Sequence, residues 1–165
     1  FNLPLLIFLD MPGFMLGSHA ERIATMRRGA RALIASAECQ VPKIEFMVRK
    51  SYGVAADAPN SIGLPSGINL RFGWPSGERG GIPIEGGVAA AYRREIEAAE
   101  DPAAHREAIE ERLLRLRSPF KAAHKGDVVD LIDPRETRAL ACRFVKLAQP
   151  KLAELANRPK RAVRP

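Results

Sequence analysis

Residues 5–9, Leu-Leu-Ile-Phe-Leu, form an unbroken apolar run that stops at Asp10-Met11-Pro12-Gly13-Phe14. A run of that length bounded by turn formers predicts a strand covered on both faces, as in parallel sheets. The period then changes. Ile23, Met26, Ala30, Leu33, Ile34 and Ala37 recur three or four residues apart, with Arg27, Arg28 and Arg31 between them, which predicts an amphipathic helix. Residues 43–50, after Val41-Pro42, predict a second strand. Strand, loop, helix, strand is a βαβ unit. Its right-handed crossover places the loops after both strands at the C-terminal strand ends, where open α/β sheets bind ligands.

Residues 51–87 are rich in Gly and Pro, and within them 70–75 and 81–84 read as short strands. A helix is expected over 87–100, burying Val88, Ala91, Tyr92 and Ile96. Asp101-Pro102 and Asp133-Pro134-Arg135-Glu136 each set an N-cap Asp before a Pro at the first helical position, and Glu136 completes a capping box. The helices that follow carry Ile109, Leu113 and Leu116 on one stripe and Ala141, Phe144, Val145 and Ala148 on the other. The pattern gives one α/β domain over 1–150 with C-terminal helices. Residues 151–165 are basic and contain Pro, and fraying is expected there. The chain opens on Phe1 without an initiator Met or a signal-peptide pattern, and it reads as a piece of a longer protein.

Charge narrows the functions. The 26 basic and 19 acidic residues leave +7, with a pI near 9.9. The cations are spread over helix faces and the tail without aromatic interleaving in the loops, so nucleic acid is not the expected partner. No apolar run approaches the roughly 20 residues that span a bilayer, so no membrane association is expected. Cys39 and Cys142 lack a second ligand at metal spacing, so no metal is expected, and a reducing, cytoplasmic compartment follows. His19, His105 and His124 are far apart, and no nucleophile triad is visible. Any chemistry would therefore fall to backbone dipoles. Two loops suit that role, Gly13-Phe14-Met15-Leu16-Gly17 after the first strand and Tyr52-Gly53-Val54-Ala55-Ala56 after the second. A small-residue loop entering a helix presents unpaired N–H groups to a carbonyl or oxyanion, although close backbone packing also selects such glycines.

Several ordered blocks carry a family resemblance: Asp10-Met11-Pro12-Gly13-Phe14-Met15-Leu16-Gly17, Arg28-Gly29-Ala30-Arg31, Val41-Pro42-Lys43-Ile44, Arg49-Lys50-Ser51-Tyr52-Gly53, Trp74-Pro75, Glu85-Gly86 and Asp133-Pro134-Arg135-Glu136-Thr137-Arg138. From Leu5 to about Lys151 the chain resembles the C-terminal domain of the carboxyltransferase (β) subunit of biotin-dependent acyl-CoA carboxylases, of the propionyl-CoA and methylcrotonyl-CoA carboxylase type. The resemblance implies a crotonase-like ββα superhelix that binds carboxybiotin. An N-terminal acyl-CoA-binding domain, absent from this chain, would complete the site from a neighbouring subunit of a homo-oligomer. The implied partners are acyl-CoA, a biotin carboxyl carrier and a biotin carboxylase subunit, with biotin as cofactor.

The family's mechanism needs no protein nucleophile. Carboxybiotin releases CO2, the biotin enolate takes the acyl α-proton, and the acyl enolate attacks CO2. The protein supplies donors to the two developing oxyanions. By position the resemblance assigns the N–H groups of Val54 and Ala55 to the biotin-side hole and Asp57 to acyl-chain selection. It also places Gly13, Phe14, Gly17, Tyr52 and Gly53 around the substrate and biotin. The family's usual Tyr-Gly-Gly-Ala-Tyr reads Tyr52-Gly53-Val54-Ala55-Ala56 here. A β-branched residue keeps such a hole open only where φ is negative. Two other readings stay open, a biotin-dependent acyl-CoA decarboxylase subunit and a degenerate crotonase-fold domain with a scaffold role. The backbone at Val54 and Ala55 separates catalysis from scaffold.

Overall fold

Strand β2 (Lys43–Tyr52) organises the sheet in the computed structural model, which describes residues 1–60, 68–84 and 86–156. On one side it pairs with β1 (Leu5–Met11). On the other it pairs with β3 (Asn69–Gly73) and then, beyond a turn at Trp74-Pro75, with β4 (Glu78–Gly80). A short β5 (Asp130–Leu131) pairs with β3, and each of these pairings is parallel. The register between β1 and β2 slips between Leu9 and Met11. There the Asp10 carboxylate accepts the Arg49 Nε–H at 3.0 Å and the Lys50 N–H at 3.1 Å, which holds the Asp10 carboxyl pKa below the usual aspartate range.

Alternation sends Ile44 and Phe46 of β2 to one face and Lys43, Glu45 and Met47 to the other, and all five are buried. The Ile44 and Phe46 face packs against Ile132, Ala141 and Phe144, the last two on α8 (Thr137–Ala156). Trp74 closes this core by donating its indole N–H to Thr137 Oγ1 at 2.9 Å. The capping box expected at Asp133 and Glu136 is present and turns the chain into α8. On the other face Lys43, wholly buried, donates from Nζ to the Ser36 carbonyl at 2.6 Å and so ties β2 to α2 (Thr25–Glu38). Burial pushes the Lys43 amine below the ordinary lysine range.

The expected βαβ unit is observed, with differences that have physical causes. Among the described residues β1 is an edge strand. Leu9 is buried, but Leu5 and Leu6 are exposed and Phe8 is 60% accessible, so the cover expected on both faces does not come from the described residues. The expected helix is split by Ala24, at φ +56°, into α1 (Ser18–Arg22) and α2. The buried face of α2 carries Gly29 and Ser36, while Met26 and Ile34 of the expected stripe are exposed. Gly29 faces inward because the Phe14 ring lies against it; a Cβ there would stand 2.5 Å from Phe14 Cζ.

Residues 81–84 form bends rather than a strand, since β4 ends at Gly80. The helix expected over 87–100 is two short ones, α4 (Gly87–Ala91) and α5 (Arg93–Glu97), broken at Tyr92, and Ala91 is exposed. Asp101 caps α6 (Pro102–Leu116) as expected, accepting the Ala103 and Ala104 N–H groups at 3.0 Å. A short α7 (Pro119–His124), which the hydrophobic pattern did not announce, precedes β5. Residues 151–156, expected in a frayed tail, instead continue α8, which buries Leu152 and Leu155. Glu85 of the Glu85-Gly86 block and the basic residues from 157 onward lie outside the described residues.

Candidate active site

Both loops singled out in the sequence leave the C-terminal ends of adjacent strands, with Met11 of β1 opposite Ser51 of β2. After Tyr52 the chain turns at once into α3 (Gly53–Asp57). The turn depends on Gly53, whose φ is +61°, a conformation side chains rarely adopt. Among the described residues the only non-glycine residues with positive φ are Asn2 and Ala24, so Val54 has negative φ. The left-handed position is therefore one residue before the valine, and the Val54 side chain points outward, 57% exposed.

Val54 and Ala55 occupy the first turn of α3, where N–H groups have no intrahelical acceptor. Among the described residues neither donates to a turn, loop or cap carbonyl, and Tyr52 provides no side-chain cap.

A cleft of about 960 Å³ opens beside this turn. Tyr52, Gly53, Val54 and Asp57 form its floor, whereas Ala55 is buried beneath. Ile82, Ile84, Tyr92, Leu113 and Leu116 make an apolar wall, and Arg79, Arg117, Lys121 and Lys125 give the remaining edge a cationic character. Asp57 accepts through Oδ1 from Arg79 Nη2 at 3.0 Å and from Arg71 Nη1 at 3.3 Å. Arg79 also reaches Asp127 at 3.3 Å and Ser51 Oγ at 3.1 Å. The Tyr52 ring is buried, and its hydroxyl donates to Glu78 at 2.8 Å; burial raises its pKa. Tyr52 thus shapes the floor through a fixed ring.

The structure brings Tyr52, Gly53, Val54 and Asp57 together. It does not bring Gly13, Phe14 and Gly17 to the cleft lining. Gly13 and Gly17 take positive φ, +120° and +103°, and Phe14 turns back onto α2. Pattern reading missed Arg79, Arg117, Lys121 and Asp127, which come from separate elements. It also passed over Glu45 and Arg71, although charged residues inside otherwise apolar strands were a visible signal. The two are opposite one another in the β2–β3 register, fully buried and ion-paired. Burial pushes the Glu45 carboxyl above the usual glutamate range, and Arg71 opposes that shift.

The chain matches the carboxyl transferase domain family over residues 1–163. It is 41% identical over 139 residues to the propionyl-CoA carboxylase carboxyltransferase subunit of Haloferax mediterranei, a match covering 84% of this chain and 27% of that protein. It is also 41% identical over 139 residues to the methylmalonyl-CoA carboxyltransferase 12S subunit of Propionibacterium freudenreichii subsp. shermanii, covering 84% and 26%. A transcarboxylase 12S crystal structure, a hexamer assembly with methylmalonyl-coenzyme A and methylmalonic acid bound, superposes with a TM-score of 0.74 at 35% identity. That match covers 100% of this chain and 30% of the other. The chain belongs to the carboxyl transferase domain family and has its crotonase-like α/β fold. It spans about a quarter of the length of the curated relatives it matches. Among the described residues no helix is long and apolar enough to cross a membrane, and no cluster of His, Cys, Asp and Glu could hold a metal ion.

Proposed function

We propose that this chain is the carboxybiotin-binding domain of a biotin-dependent acyl-CoA carboxyltransferase. The observation that carries the reading is the first turn of α3, where the positive φ falls on Gly53 and the Val54 and Ala55 N–H groups lack an acceptor within the described fold. Had the valine held the left-handed position, the scaffold reading would be the better one. Carboxybiotin, delivered on a carrier protein, supplies the carboxyl group and a ureido oxygen that gains charge when that group leaves. Two N–H donors beside an apolar wall suit a neutral ring with one polar oxygen, and the cationic edge suits the carboxylate it carries.

The residues have distinct tasks. The Val54 and Ala55 N–H groups donate to the oxygen as its charge develops, and fixed dipoles are most effective there because they need no reorganisation. Gly53 turns β2 into α3 and sets the aim of those donors. Ile82, Ile84 and Tyr92 exclude water, which strengthens each hydrogen bond. Asp57, held by two arginines, presents a fixed anion at the floor, consistent with a role in choosing the acyl group.

The acyl-CoA would be held by an N-terminal domain of a neighbouring copy in a homo-oligomer, and a biotin carboxylase subunit would recharge the carrier. The free thiols of Cys39 and Cys142 accord with a reducing, cytoplasmic setting. The test is reverse transfer by the full-length protein, with methylmalonyl-CoA or malonyl-CoA plus free biotin, following loss of the acyl-CoA carboxylate. Biotin-dependent loss is expected. A folded protein that binds both CoA esters yet loses no carboxylate from either would refute the reading.

A further inference from the structure

We propose that Arg71, backed by Glu45, is a positioning residue that aims the α3 floor of the cleft from behind. Arg71 does not line the cleft; it lies on β3 with 1% of its surface accessible. One planar guanidinium makes three connections. Nε donates to Glu45 Oε1, Nη1 to Asp57 Oδ1 at 3.3 Å, and Nη2 to the Asn60 carbonyl at 3.2 Å. The first contact fixes Arg71 to the central strand. The other two grip the last residue of α3 and the backbone three residues further on.

The segment from 53 to 60 is thus held at both ends. At its start, Gly53 continues directly from β2, where the Tyr52 hydroxyl is bonded to Glu78. At its end the side chain of Asn60 donates to the Leu70 carbonyl at 3.2 Å, and Ser36 Oγ donates to the Pro59 carbonyl at 3.1 Å. Between these anchors α3 has five residues, about 7.5 Å of helix. Over so short a rod a displacement at Asp57 is carried to Val54 nearly undiminished.

A guanidinium suits this place because its donors are fixed in one plane, whereas an ammonium could keep the charge but not all three directions. Glu45 has the matching role. Its carboxylate is inaccessible to solvent, and Oε2 has no partner among the described residues, so its interaction with Arg71 is what justifies a carboxyl group at that depth. Asp57 and Arg79 complete the link from the buried pair to the cleft. The catalytic part of this inference rests on the proposed function; the mechanical part does not.

The test uses the full-length protein with Arg71→Met, and with Arg71→Lys as the variant that keeps the charge. Two quantities are read, biotin-dependent loss of methylmalonyl-CoA carboxylate and hydrogen exchange by mass spectrometry. Misaimed donors should lower kcat on the order of 10²-fold while KM for methylmalonyl-CoA stays within about twofold. Peptides covering 53–60 should exchange about tenfold faster while α8 keeps its wild-type protection. Wild-type kcat and exchange in Arg71→Lys would overturn the proposal. So would a rise in KM alone, which would mean that Arg71 acts on substrate charge, or faster exchange throughout α8, which would make its role global stability. If the wild-type protein itself shows no turnover, the proposed function has failed, and exchange over 53–60 still decides whether Arg71 holds α3.

Discussion

Replacing Gly53 by Ala tests where the strain in the site is carried. The native φ of +61° lies in the left-handed region, which costs an L-residue roughly 1–2 kcal/mol. The new Cβ would also stand 3.2 Å from the Gly81 carbonyl oxygen, close enough that backbone must yield by a few tenths of an ångström. Together these put the loss at about 2 kcal/mol, or roughly 4–8 °C in the melting temperature of a domain of this size. The chain can relieve the strain by rotating the start of α3, which would carry the Val54 and Ala55 donors with it. Gly53→Ala in the full-length protein should therefore lose biotin-dependent decarboxylation by more than its stability loss explains. The rate is measured at a temperature where thermal unfolding shows the variant folded. Val54→Gly is the counterpart: its φ is already negative and its side chain faces outward, so relief of strain should not raise the rate. The reasoning is refuted if Gly53→Ala turns over at the wild-type rate, or if Val54→Gly is faster by an order of magnitude.

Three further outcomes are expected. Ala55→Pro removes one N–H from the first turn, where proline is tolerated, and should lower kcat on the order of 10²–10³-fold with the fold retained by circular dichroism; an unchanged rate would show that this amide is not a donor. Asp101→Ala removes the acceptor of two N–H groups at 3.0 Å and should destabilise α6 by about 1 kcal/mol, read as faster hydrogen exchange in its first turns. Because the Glu45 carboxyl is raised by burial, the native state binds its proton more tightly than the unfolded state. Its contribution to stability is then most favourable below the ordinary glutamate pKa and declines as pH rises from there through the raised value. Glu45→Gln, which leaves Arg71 an acceptor, should flatten that decline in urea unfolding followed across pH, and an unaltered slope would show that Glu45 does not titrate in this range.

Local chemistry made the most legible parts of the fold. Asp101-Pro102 and the Asp133–Glu136 box cap their helices as expected, and the parallel pair of strands around an amphipathic helix followed from the change in hydrophobic period. What the pattern could not supply was the direction of each face. Met26 and Ile34 recur at helical spacing, yet α2 turns Gly29 inward because a ring from another loop must approach it closely. The apolar residues of β1 signalled a covered strand, but cover is a tertiary property that five letters do not contain. In the site, the glycine-to-valine step could be seen, whereas the residue carrying positive φ could not, since either of two neighbouring positions satisfies the same turn in sequence. Lys43, Glu45 and Arg71 interrupt apolar strands; the Glu45–Arg71 pairing depends on a register between two separate strands, and the Lys43 contact on how α2 packs against β2.

Among the described residues, three of the four strand pairings include β2. Every pairing is parallel, so none can form as a local hairpin, and each must wait for a crossover to close. Folding of this domain should accordingly be slow and late, with little gained until β2 has found its neighbours on both sides. The same arrangement makes loss of structure collective. Among the described residues, removing β2 would leave only the short β3–β5 pair, so the residues that shape the cleft and those that fill the core share a single cooperative unit.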